Sequence, residues 1–506
     1  MKDGTEMLLK KTLSVFLVIL LFAPASAIFA AGKKKVWPGI GMNKPELFNM
    51  YLGIVFPGAN LELLEAIAYK SMVDARNSGI GYFRCPVSGF GSLELEIWQL
   101  WPDFFWRRFD KMLADLEENQ IKIIASLAWD PLQFPFYTRD GLRALFVDSR
   151  SSSRTLLVRF VSEVVGRYKN HPAILFWELG NEWNLYVDLD IDSRIGLKGY
   201  NVSTDELLNF VREYTGLIRK IDPNRLVSNG FSMPRPAAEH LRKQPEWSPN
   251  GPGWTADSRE EFRKNLTDGS RDVEIISIHF YNFCGNHSGD PNCSSRDNER
   301  FDLRGAYNVN LLDEIVRIAN QLGKLVFVGE IDDDRSGDGS PTNPFSNAAL
   351  ERIGRLKIHF TAFWLWEGYT FPSKPDRSNI EPGFNDLLIN KIKEVNHVYF
   401  NRIAPEPRMP DFLSPIIFLT APLEGSRISY SGLEIYALAS DNDRVERVEF
   451  WLENTFLGEV RKAPYTIKLS GGTYPVVGRR LRVKAKAFDS SGNFSESVVN
   501  VSGFYF

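Results

Sequence analysis

Between residues 36 and 404 the chain alternates short, nearly continuous apolar runs with longer stretches in which apolar residues return every three or four positions. The first pattern suits a parallel strand buried on both faces, the second an amphipathic helix. Strands are predicted at 38–43, 81–87, 121–129, 174–182, 226–231, 273–281, 325–330 and 359–366. Helices are predicted at 61–77, 106–119, 154–169, 205–221, 311–322 and 348–356, each ahead of a strand. Eight strands in unbroken alternation predict an α/β fold, a closed (β/α)8 TIM barrel over 36–404. An open doubly wound sheet would want a glycine-rich phosphate loop after its first strand, and none follows. Residues 405–412 form a proline-rich linker, and the periodicity then changes. Leu481, Val483, Ala485 and Ala487 alternate with charged residues, and Val448, Phe450 and Leu452 alternate with Glu449, Trp451 and Glu453. Short alternating strands with no helical pattern predict a small all-β sandwich over 413–506.

The length of 506 residues fits a barrel of roughly 250 or more residues plus a smaller module. Sixty Lys and Arg nearly balance 63 Asp and Glu, for a net charge of -3. That leaves no basic stripe for phosphates, so nucleic acid is not an expected partner. Lys10 and Lys11 precede an apolar run from Thr12 to Phe22, and Ala25-Ser26-Ala27 follows it. Residues 1–31 thus read as a signal peptide or, if uncleaved, an N-terminal membrane anchor. Either way the body of the protein is expected outside the cytoplasm, secreted or anchored. Cys284 and Cys293 share one loop, either as a bridge contributing about 2–3 kcal/mol or as two free thiols. Cys85, in an apolar run, reads as a core residue.

Two strand ends carry the candidate chemistry. An apolar run delivers Asn181 and Glu182 to the C-terminal end of the fourth strand, and another delivers Glu330 to the end of the seventh. That end of a barrel is where active sites are built. Two carboxyls across one barrel mouth suit glycoside hydrolysis, where retaining chemistry wants them about 5–5.5 Å apart. Trp98, Trp101, Phe104, Phe105 and Trp106 either extend a cleft or pack as a lid, and Trp129 and Trp183 are candidate sugar contacts. Trp451 falls on the outer face of its strand, where an interdomain contact is expected more than a sugar platform. The run from Asp332 to Asp338 resembles half a calcium loop, but Asn343 stands where a bidentate Glu belongs. It reads as a solvated acidic loop, as do Asp188, Asp190 and Asp192, and no metal is expected.

On Trp177-Glu-Leu-Gly-Asn-Glu182, Gly329-Glu330, His279-Phe-Tyr281, Tyr82-Phe-Arg84 and Phe363-Trp-Leu-Trp366, residues 38–404 resemble glycoside hydrolase clan A, above all family five, the cellulase and β-mannanase family. The resemblance implies Glu182 as proton donor, Glu330 as nucleophile and Asn181 on the sugar 2-hydroxyl. It implies Arg84 and Tyr281 on the nucleophile, His279 beside the reacting sugar and Trp364 as its floor. Arg84 and Tyr281 would then keep Glu330 ionised. Glu182, facing that negative charge in a partly dry cleft, is expected to have a raised pKa. Residues 413–506 resemble a bacterial immunoglobulin-like domain on Val448-Glu-Phe-Trp-Leu452 and Ala463-Pro-Tyr-Thr466. The implied activity is a retaining endo-β-1,4-glycanase, cofactor-free, acting on β-mannan or a cellulose-type β-glucan. An exo-acting β-glycosidase of the same clan and a non-catalytic glycan-binding surface protein stay open. Trp183-Asn184 departs from the Asn-Glu-Pro common in the family, which leaves the sugar undecided.

Overall fold

The computed structural model describes residues 38–55, 61–281, 310–332, 344–367, 380–383, 385–401, 414–429, 432–441, 444–470, 480–489 and 492–504. Eight parallel strands close in chain order: β1 (Gly39–Asn43), β2 (Tyr82–Pro86), β3 (Lys122–Ala128), β4 (Ile174–Gly180), β5 (Val227–Ser228), β6 (Ile275–Phe280), β7 (Leu325–Asp332) and β8 (Phe360–Trp364). Closure sets Met42 opposite Phe363 on one side of β1 and Asn43 opposite Arg84 on the other.

Strand side chains alternate between the barrel interior and the surrounding helices, and the inward set is layered. Tyr82, Ile124, Phe176, Ile275, Phe327 and Phe360 form an apolar floor, separate from the larger core under the helices. Two residues further along their strands the inward positions turn polar, at Arg84, Ser126, Glu178 and Ser277, all buried. The site stands on this polar layer.

The helix Leu61–Asn77 has its predicted limits, and Pro102–Glu118, Ser152–Tyr168, Thr204–Ile221, Asn310–Leu322 and Pro344–Leu356 lie close to theirs. Local chemistry fixes several starts. Ser151 accepts from the Arg154 N–H, and Ser203 with Glu206 makes a reciprocal cap. Ser92–Leu100, Arg259–Gly269 and Asp386–Phe400 are further helices beyond those predicted. The predicted fifth strand shrinks to two residues because Gly230 turns left-handed, at φ 68°. A β-carbon there would lie 1.7 Å from the Gly180 carbonyl oxygen, so only glycine lets the end of β4 pass.

Of the aromatic cluster after β2, Trp98, Phe105 and Trp106 are buried while Trp101 is 58% exposed. That is packing, with Trp98 donating to Glu163 beneath Arg159. Cys85 is free and buried, and burial pushes its thiol up to about 12. Cys284, Cys293, residues 1–31, the linker 405–412 and the acidic residues 333–338 lie outside the described residues. Among the described residues no helix is long and apolar enough to cross a membrane.

The C-terminal part is an immunoglobulin-like sandwich. β9 (Ile416–Ala421), β11 (Gly432–Ser440) and β14 (Tyr465–Ser470) make one sheet. The other has the order β10 (Arg427–Ser429), β16 (Phe494–Phe504), β15 (Arg480–Asp489), β12 (Val445–Leu452) and β13 (Thr455–Val460). Val448, Phe450, Leu452, Val483, Ala485 and Ala487 fill its core, as their alternation predicts. Among the described residues Trp451 sits against Phe456 and under Lys484 of its own sheet, rather than at the interdomain contact expected of it. Contact with the barrel comes instead through β9 and β11, which lie on the helix Leu61–Asn77. Leu438 packs into the barrel's outer core, and the Ser440 hydroxyl donates to Asp74 Oδ1 at 3.1 Å.

Candidate active site

β4 ends at Gly180, two residues short of the predicted limit, and the chain turns out of the sheet there. Asn181 N–H donates to the Trp129 carbonyl and Glu182 N–H to the Gly230 carbonyl, both at 2.9 Å. Glu182 adopts a left-handed conformation, φ 54°, a strained state for a residue with a side chain. Trp183 holds that turn down. It is 1% exposed and parallel to Tyr214, and its N–H donates to the Trp129 carbonyl. The expectation of a sugar contact at Trp183 is therefore wrong. Its indole fills the space that Gly180, without a β-carbon, leaves open.

β7 extends past its predicted end to Asp332, and a register shift against β6 between Ile278 and His279 sets Glu330 opposite His279. Glu330 accepts from Arg84 Nη1 at 2.9 Å and from the Tyr281 hydroxyl. His279 Nδ1 lies 2.7 Å from Glu182 Oε1 and 3.4 Å from Glu330 Oε2. One ligand atom from each of Glu182, His279 and Glu330 falls within 4.8 Å of the other two. Six of the residues picked from sequence, Arg84, Asn181, Glu182, His279, Tyr281 and Glu330, thus meet in one cluster. Trp364 reaches it through Trp129, whose ring lies 6.3 Å from its own at 29° and 4.4 Å from the Arg84 guanidinium. Trp129 keeps only 6% of its surface exposed, so it lines the site more than it receives a ring. Trp366 is buried and donates to the Ser71 carbonyl.

Arg84 organises the polar layer. Its Nε donates to both oxygens of Glu178, at 2.9 and 3.1 Å. Nη1 serves Asn43 as well as Glu330, and Nη2 donates to Asn181 Oδ1 at 2.7 Å. Asn43 in turn donates to the carbonyls of Gly329, Ala362 and Phe363. Glu178 and Asn43 escaped the sequence reading. The inward period Phe176–Glu178–Gly180 carried the signal for Glu178, because a carboxyl facing a barrel interior needs a cation. Burial pushes the Glu178 carboxyl up, and the charge of Arg84 opposes it.

The raised pKa expected of Glu182 is also wrong. Burial alone would lift the carboxyl, but the hydrogen bond and charge of His279 outweigh it, with Ser232 and Arg84 acting the same way. The group lies below the ordinary carboxylate value. The neighbour that decides is the imidazole, not the second carboxylate.

Nor are Asp188, Asp190 and Asp192 a solvated acidic run. Asp188 accepts from the N–H and hydroxyl of Thr204, Asp190 caps the turn at Ser193, and Asp192 accepts from the N–H groups of Gly199, Tyr200 and Asn201. Unpaired backbone donors in a long loop drew them in. A second group with metal-like spacing, His240, Asp257 and Glu261, is spent the same way. Asp257 accepts from the N–H groups of Glu239 and His240, and Glu261 caps Ser258.

Chemically, the cluster offers one carboxylate held by a guanidinium and a phenol, and a second one bonded to an imidazole a few ångströms away. A bond between them can be attacked from one side and protonated from the other. The family model described as cellulase (glycosyl hydrolase family 5) matches residues 54–369, and that of a bacterial Ig domain matches 415–492. The chain is 27% identical over 187 residues to mannan endo-1,4-beta-mannosidase F of Aspergillus clavatus, covering 35% of this chain and 36% of that protein. It is 24% identical over 232 residues to mannan endo-1,4-beta-mannosidase 2 of Oryza sativa subsp. japonica, covering 40% and 47%. The chain thus spans less than half the length of the curated relatives it matches here. Among solved structures, the endo-beta-1,4-mannanase from Thermotoga petrophila aligns at a TM-score of 0.48 and 17% identity, over 93% of this chain and 99% of that one. With the barrel, its paired strand-end carboxyls and the family match over most of its length, the chain belongs to the cellulase family, glycosyl hydrolase family 5.

Proposed function

We propose that the protein is a retaining endo-β-1,4-glycanase, with β-mannan as its substrate. The observation that carries this reading is the approach of Glu182 and Glu330 to within 4.8 Å at their facing oxygens, which favours the close carboxyl pair of a retaining enzyme over the wider pair of an inverting one. Glu330, presented by Arg84 and Tyr281, attacks the anomeric carbon and forms a glycosyl-enzyme. Glu182 gives its proton to the departing oxygen and then takes one from the water that releases the sugar. Asn181 meets the 2-hydroxyl and Trp364 floors the reacting ring. His279 holds the Glu182 carboxyl below its ordinary value, and a sugar ring packed over it would bury it further, which favours the protonated form that the donor role needs. The relatives from Aspergillus clavatus and Oryza sativa, both mannan endo-1,4-beta-mannosidases, support mannan over β-glucan. The basic, apolar and Ala-Ser-Ala segments of residues 1–31 support export.

The test is hydrolysis of mannan, glucomannan, carboxymethylcellulose and xylan, followed by two variants. Mannan is expected to be cut internally, and Glu330→Ala to lose turnover altogether. Glu182→Ala should still turn over aryl β-mannosides with good leaving groups, and azide should yield a β-mannosyl azide. An α-configured azide, or none, would remove Glu182 from the role of acid/base.

A further inference from the structure

We infer that the immunoglobulin-like domain is a brace for the end of β8, and so a positioning element for the Trp364 floor, rather than a free tether. Two separate routes lead from the sandwich to that strand end.

The first runs through a buried knot of side chains. Ser440, at the end of β11, donates to Asp74 on the helix Leu61–Asn77. Asp74 pairs with Lys70, whose ammonium also reaches Glu367 Oε1 at 3.4 Å, and Ser71 donates to Glu367 Oε2. Glu367 follows Trp366 directly, is 1% exposed, and has its carbonyl held by Lys44 Nζ at 2.8 Å. Trp366 N–H is tied to the Asn43 carbonyl, and Asn43 bonds the carbonyl just before Trp364.

The second route uses the segment 380–383. Ile380 N–H donates to the Leu365 carbonyl and Glu367 N–H to the Ile380 carbonyl, so this segment pairs with the chain leaving β8. Its Gly383, at φ 86°, lies against the turn between β13 and β14: a β-carbon there would be 3.0 Å from the Ala463 carbonyl. Lys462 of the same turn pairs with Asp386 at 3.0 Å. Leu438 adds apolar contact between the two units. A tether between independently moving bodies needs none of this. A largely buried ionic knot that ends three residues past Trp364, beside the Trp366–Ile380 bridge, fixes that strand end in place.

The kinetic part of the inference rests on the proposed glycanase reading; the structural part does not. The test uses the full chain with Ser440→Asp, which sets a new carboxyl against Asp74, and Ala463→Glu, which crowds Gly383. Lys468→Ala, exposed on β14, is the control. Hydrogen–deuterium exchange over 360–367 should accelerate about tenfold in both variants, with β2 and β4 unchanged. The value of kcat on mannohexaose should fall about fivefold with KM little moved, since the floor acts on the reacting ring. Unchanged exchange over 360–367 would overturn the brace. Faster exchange with unchanged kcat would overturn the positioning role. If the parent chain cuts no β-glycan while exchange responds as described, the glycanase reading fails and the brace stands.

Discussion

At the scale of single residues, small side chains decide what the acidic ones can do. Gly329 precedes Glu330, and a β-carbon on it would fall 2.9 Å from His279 Nε2 and 3.2 Å from the Ser277 hydroxyl. His279 is fully buried and has no open side to retreat to. Gly329→Ala is therefore expected to turn the imidazole and loosen its bond to Glu182, lowering kcat by about 10–100-fold, with a smaller change in KM. Steady-state kinetics beside an unchanged circular dichroism spectrum checks this. Full activity in Gly329→Ala would mean that the His279–Glu182 contact is dispensable.

Strands meet their obligations through one guanidinium. Arg84 on β2 ties Asn43 of β1, Glu178 of β4 and Glu330 of β7 across the barrel, with no exposed surface of its own. Arg84→Ala strands two buried carboxylates and should cost about 3–5 kcal/mol in urea unfolding, along with activity. Adding Glu178→Gln should recover part of that stability without recovering turnover, because Glu330, the proposed nucleophile, would still lack its cation. Strict additivity of the two substitutions would refute the shared-cation picture. The same strands mark how far sequence could be read. Apolar runs announced all eight, and motif residues announced the six that cluster. Loop burial is what periodicity does not carry. Trp183 is a candidate sugar contact by its place next to Glu182, whereas the vacancy over Gly180 sends it into the helices. The spacing of Asp188, Asp190 and Asp192 suggests a solvated run because sequence does not show the backbone donors of 193–204 that fold onto them. Glu178 stayed hidden because its partner lies 94 residues away.

The molecule as a whole has a proton at its seam. Burial lifts the Asp74 carboxyl to about 7, with Lys70 pulling it down and Glu367 pushing it up. Glu367 is held below the ordinary range, burial being outweighed by Lys70 and Lys44. Tyr465 of β14, which burial pushes up to about 12, faces Lys70 and Asp74 from the sandwich. Unfolded Asp74 gives up its proton near 3.8, so the native state is favoured below that value and loses this contribution as pH rises through about 7. Glu367 works oppositely, stabilising above the ordinary carboxylate range and less as pH falls. Asp74→Asn should flatten the decline in Tm between about pH 5 and about pH 8. A variant whose Tm falls over that window as steeply as the parent's would assign the decline to other groups.

Closure of the barrel has one more consequence, in time rather than in space. β1 is made first and β8 last, yet Met42 must lie beside Phe363, and Asn43 must reach carbonyls 286 to 320 residues further on. A chain growing from its N-terminus carries Glu182 and then Glu330 well before either has a finished setting. Only when β8, made after both, closes against β1 are the surroundings of the two carboxyls complete.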